Sequence, residues 1–204
     1  CEIVEQSDQA DIGIGEALMW MEWQANALAP RILMPLVPAR LKAEELVMQA
    51  MNNFNTDRVI DVMEPVIEGM AAFFGVSKQA AKIRMYDIGY EEAAGTFIYL
   101  DGRYIKPHSF KKGAIGPKQT FSISIRDALG ESFFRLELRK SKEQGLYLFV
   151  DSHFCINHPK YITYDNCGKP CLTDYARYHM DECCLVFDLS LDSPANSYQR
   201  EFFL

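Results

Sequence analysis

Residues 96–110 read TFIYLDGRYIKPHSF, and this stretch decides the fold class. Upstream of it the apolar residues recur at helical spacing; from Thr96 onward they alternate with a period of two. Asp101-Gly102 sits between two alternating runs and readily supplies the two positive-φ residues of a type I′ hairpin turn. The chain therefore reads as α+β, a helical N-terminal half followed by a β-rich mixed domain, with the boundary near residues 91–96.

Working back from that hairpin, residues 57–89 read as a compact helical pair. Val66, Ile67, Met70, Ala71 and Phe74 share one helical face, Gly75 ends that helix, and Ser77 is a good N-cap for the next. Gly-Val-Ser between two amphipathic helices is the pattern of a helix-turn-helix. An earlier helix is expected over residues 38–52. Before it, a first helix runs from about Gly15 to Pro35 and is kinked at Pro30, which cannot donate to the carbonyl of Asn26.

Working forward, QTFSISI, SFFRLELRK and GLYLFVDSHF read as further strands with polar turns at RDALGE and SKEQG. YITYD is a short strand, LTDYARYHMDE a helix capped by Thr173, and CCLVFDLSL a final strand. The tail DSPANSYQREFFL reads as loose, with an aromatic end able to dock on a neighbour.

Composition is that of an ordinary globular protein, 49% hydrophobic and 24% charged over 204 residues. No apolar run reaches the roughly 18 residues of a membrane span, and no signal peptide is visible. Net charge is −7. Residues 101–150 hold ten Lys/Arg against five Asp/Glu, a local +5 that leaves −12 elsewhere. An acidic whole argues against general nucleic-acid affinity, while the basic block could meet an acidic partner or simply form a solvated face.

Glu22 is the only charge between Ala17 and Ala29, in the segment MWMEWQANALAPRILMP (residues 19–35). On a helix it shares a stripe with Leu18, Ala25 and Ala29, beside Asn26. A buried carboxylate must be paired or bind a metal; Arg31 is the nearest candidate cation in sequence. The phrase Glu22, Ala25, Asn26, Ala29, Leu33, Met34, Pro35 closely resembles the ImmA/IrrE family of zinc metallopeptidases. Phe74, Val76, Ser77, Ala81, Arg84 and Gly89 match the segment that typically follows, so the resemblance covers residues 16–90. It implies that Glu22 is the third zinc ligand, with Asn26 behind it, and that the parent is a cytoplasmic bacterial hydrolase cleaving a repressor-like protein. Together with the change of period at Thr96 it divides the chain into three regions: residues 1–56 closing the peptidase domain, 57–95 the helix-turn-helix-like segment, and 96–204 a β-rich domain of unassigned role.

The chain contains no His-Glu-x-x-His. Its four histidines are His108, His153, His158 and His179. A zinc peptidase needs two histidines one helical turn apart and a glutamate to activate the metal-bound water. This chain alone is therefore expected to be inactive. Its start at Cys1 adds to the expectation that the catalytic helix lay upstream and was removed; natural loss of the motif is the alternative. A competing reading is a non-catalytic regulator or DNA-associated protein, with Lys78, Lys82 and Arg84 on the second helix of the pair.

Six cysteines stand at 1, 155, 167, 171, 183 and 184. Cys155, His158, Cys167, Cys171, His179 and Cys183 have the ligand types for a second zinc site, His179 and Cys183 sharing a face if one helix carries both. Structural thiols are the plainer reading, since CCLVF as a strand buries at least one cysteine, and a Cys167–Cys171 redox pair is a third. No nucleophile elbow and no phosphate-cradling glycine loop is present.

Overall fold

A computed structural model describes residues 28, 30–116 and 119–188. A helical turn over residues 30–33 leads into α1 (Leu36–Phe54), capped by Pro35. Pro35 thus closes one helix and opens the next, and Pro38 falls in the first turn of α1, where a missing N–H costs nothing. The buried residues Ala39, Ala43 and Val47 recur every four positions and lay α1 against α2 (Val59–Phe74).

Gly75, at φ 66°, ends α2, and the Ser77 hydroxyl accepts from Ala80 N to start α3 (Lys78–Asp87). A 3₁₀ turn over Glu91–Gly95 completes the helical half. Its core is one cluster running from Met34 through Val62, Ile67, Met70 and Met85 to Ala93. The expected helical pair is therefore present, and it shares its core with α1.

The hairpin forms as its sequence predicts: β1 (Ile98–Leu100) pairs with β2 (Arg103–Ile105), with Asp101 and Gly102 at φ 53° and 70°. The other strands of the second half also pair in small two-stranded antiparallel sheets. β3 (Gln119–Thr120) pairs with the last described strand, β8 (Phe187–Asp188), while β4 (Tyr147–Val150) and β5 (His153–Ile156) form a second hairpin. β6 (Ile162–Tyr164) and β7 (Pro170–Leu172) form a third. The α+β class holds, and no helix among the described residues is long and apolar enough to cross a membrane.

Four strand expectations are corrected. GLYLFVDSHF, read as one strand, folds back on itself as β4 and β5, with Asp151 and Ser152 at φ 48° and 67° forming the turn. Only Gln119–Thr120 of QTFSISI is strand. SFFRLELRK and the supposed turn RDALGE fold into two helices, α4 (Ile125–Phe134) and α5 (Leu136–Glu143). Ser124 accepts from Asp127 N, a helix-start cap, and the pairs Glu131–Arg135 and Arg139–Glu143 stand one turn apart. Those local pairings override the short alternation of Phe134, Leu136 and Leu138. The helix expected after Thr173 is split: α6 (Asp174–Tyr178) stops at His179, whose φ of −138° breaks it, and α7 (Met180–Cys183) follows. Of CCLVFDLSL, residues 183–188 are described, and among them strand is confined to β8 and a single bridge between Cys184 and Cys155.

Two carboxylates on α2 hold the second half to the first. Glu64 accepts from Phe97 N at 2.8 Å and from Tyr104 Oη at 2.7 Å. Asp61 accepts from Tyr178 Oη at 2.9 Å and from Arg177 Nη2 at 3.4 Å. At the crossing itself, His108 N donates to Gly95 O at 3.1 Å.

Candidate metal centre

β5 carries Cys155 inward: it stands across the hairpin from Leu148 and packs in one buried cluster with Leu148 and Val150. α7 carries Cys183 at its C-terminal end, and the next residue, Cys184, turns to extended backbone at φ −112°. In a continuous strand, neighbours point to opposite faces. Here the helix-to-strand change falls between the two residues and brings both sulfurs into one pocket, 3.7 Å apart. The antiparallel bridge Cys155–Cys184 then sets the third sulfur beside them. All three sulfurs lie within 4.8 Å of one another, and all three residues are buried.

The pocket is apolar, walled by Phe121, Val150, Ile162, Ala176 and Met180. Thiols are weak donors, and the partners they find here are distant. Cys183 Sγ lies 3.5 Å from His179 O, Cys155 Sγ 3.7 Å from Ile156 O, and Cys184 Sγ 3.9 Å from the Met180 thioether. The trio is electrically unequal. The Cys155 and Cys184 thiols both donate toward Cys183 and favour its thiolate, lowering its pKa, while Cys155 and Cys184 are pushed up.

The other expected ligands go elsewhere. His158 Nδ1 accepts from Lys160 N, and its ring faces Tyr161. His179 stacks on Tyr175, ring centroids 4.1 Å apart, and does not share a helix face with Cys183 because the helix breaks at it. Cys167 is exposed in the tight turn of the β6–β7 hairpin, where Asp165 Oδ1 accepts from Cys167 N and Lys169 N. Cys171 lies across from Thr163 on that hairpin, and its thiol faces Thr163 O at 3.7 Å. All of these cysteines are free thiols. Of the six residues expected, the structure unites Cys155 and Cys183 and adds Cys184, which the strand reading of CCLVF had turned away from its neighbour. Glu22 and Asn26 lie outside the described residues.

No protein-family model matches this chain, and no curated protein or solved structure matches it either.

The cations on α3 are used internally. Lys82 is buried and donates to Thr96 O at 2.6 Å; Arg84 is buried and its Nε donates to Met34 O at 2.8 Å. Lys78 pairs with Glu68.

Proposed function

We propose that this chain is part of a zinc-dependent endopeptidase of the ImmA/IrrE type. Glu22 supplies one metal ligand, backed by Asn26. The two histidines and the general base come from a His-Glu-x-x-His helix outside these 204 residues. One carboxylate cannot hold zinc, so no step of hydrolysis is assigned to the chain alone.

The observation that carries this reading is the tie between Met34 and Arg84. These two residues, one from each phrase that resembles the family, stand 50 residues apart in sequence. Met34 is fully buried in the helical core, and its carbonyl receives the buried Arg84 guanidinium. Arg31 pairs with Asp87 at 3.3 Å beside it. The Leu-Met-Pro end of the Glu22 segment is thereby fixed on α3, as a rigid support for a ligand-bearing helix requires. Around this anchor, Ile32 and Leu33 on the preceding helical turn and Val37 and Leu41 on the first turns of α1 are exposed, apolar surface suited to a peptidase body.

By the same resemblance the substrate is a protein, a repressor-like regulator, in the cytoplasm, and residues 96–204 would serve as a recruiting or sensing module. The competing DNA-associated reading needs cations on one outer face. Lys82 and Arg84 are instead buried, and Lys78 is ion-paired, so α3 offers little to a phosphate backbone.

The test is the coding frame ahead of Cys1. The proposal expects His-Glu-x-x-His there, and expects the protein containing it to cleave its substrate only with zinc. A frame that runs on without that motif would remove the peptidase reading.

A further inference from the structure

The buried cysteine trio is independent of Glu22 and of the peptidase reading. We propose that Cys155, Cys183 and Cys184 form a three-sulfur site for a closed-shell thiophilic cation, Zn²⁺ or Cu⁺, that pins β5 to the α7–β8 junction.

The geometry is close to what such an ion needs. A Zn–S bond of about 2.3 Å in a tetrahedral site sets sulfurs ~3.8 Å apart. Cys183 and Cys184 stand at 3.7 Å, and the full trio fits within 4.8 Å. Each sulfur's other contact is only a weak thiol interaction with a carbonyl or a thioether, so a cation would displace no strong hydrogen bond. Binding exchanges thiol protons for the cation, with up to three protons released to solvent and no change of oxidation state. Two fourth donors adjoin the trio. The His179 carbonyl, 3.5 Å from Cys183 Sγ, is a hard oxygen; the Met180 thioether, 3.9 Å from Cys184 Sγ, is a soft sulfur that suits cuprous copper. The ligands come from segments 28 residues apart in sequence, so the ion would cross-link the second half of the protein.

The experiment loads the reduced, anaerobically purified chain with Zn²⁺ alone or Cu⁺ alone, then measures bound metal after desalting. One equivalent is expected, and it is lost in Cys155→Ser and in Cys184→Ser. Cys167→Ser and Cys171→Ser, outside the trio, keep it. Met180→Leu separates the two ions: weakened Cu⁺ binding with intact Zn²⁺ binding marks the thioether as a copper ligand, and an unchanged pair marks the site as zinc-type. Should a trio variant fail to fold, the wild-type protein still decides. Alkylation of the Cys155, Cys183 and Cys184 peptides must rise at least tenfold when a chelator strips the metal under native conditions. No bound equivalent of either ion, retention of metal by Cys155→Ser and Cys184→Ser, loss of metal in Cys167→Ser, or chelator-independent alkylation overturns the site. None of these readouts depends on a catalytic helix, so failure here leaves the peptidase reading standing, and the reverse.

Discussion

Gly95→Ala is the sharpest test of how the helical half meets the rest of the molecule. Gly95 ends the 3₁₀ turn where residues 107–108 cross it, and a Cβ placed there would sit 1.8 Å from the His108 carbonyl oxygen and 2.8 Å from its carbon. An ordinary carbon–oxygen contact is about 3.3 Å, so the crossing backbone must retreat by roughly 1.5 Å. That retreat stretches the bond from His108 N to Gly95 O, now 3.1 Å, and displaces the buried His108 ring from its edge-to-face contact with His153. The lost hydrogen bond contributes ~1 kcal/mol and the forced overpacking another 1–3, about 2–4 kcal/mol in all. For a chain of this size that corresponds to a melting temperature lower by roughly 5–15 °C. Thermal unfolding followed by circular dichroism reads it directly. Gly130→Ala serves as control: it lies inside α4 with nothing within 4 Å of the added carbon, and is expected to gain about 0.5–1 kcal/mol. If Gly95→Ala melts with the wild type, the two backbones do not cross as described.

Arg84→Met removes a buried cation and leaves the Met34 carbonyl without its donor. The expected loss is about 2–4 kcal/mol in urea denaturation, against ~0.5 or less for the exposed Arg139→Met. Glu64→Ala strands the Phe97 N–H and the Tyr104 hydroxyl together and is expected to cost about 2–3 kcal/mol; Tyr104→Phe, which removes one of those bonds, costs ~1. Glu182 accepts from the Tyr175 hydroxyl and, less closely, from Lys160, and these hold its pKa below the usual carboxylate value. Its contribution is therefore present above the ordinary carboxylate pKa and lost as pH falls through the lowered one. Wild type and Glu182→Gln should differ in urea midpoint at neutral pH and converge in acid.

What the sequence made legible depended on whether the deciding signal was local. The Asp101-Gly102 turn, the Gly75 stop and the Ser77 and Thr173 caps each act within a few residues, and all four form as read. α4 and α5 run against the short alternation in their sequence because an equally local cap, Ser124 with Asp127, and charge pairs at helical spacing favour helix. The cysteine site was half legible. Residue chemistry pointed to Cys155 and Cys183, but the third ligand depends on where a helix becomes a strand, a one-residue boundary that periodicity does not fix. His179 was misplaced for the same reason: the broken helix sends it onto Tyr175. The internal use of Lys82 and Arg84 was invisible in sequence, since charge suggests exposure until the carbonyls of Thr96 and Met34 are seen at their ends.

The most direct measurement takes the polypeptide encoded by the full reading frame and compares zinc content and proteolysis with and without Glu22→Gln. The account predicts loss of one zinc equivalent and of cleavage, with the fold and any metal on the cysteine trio retained. Unchanged zinc and unchanged cleavage would contradict it.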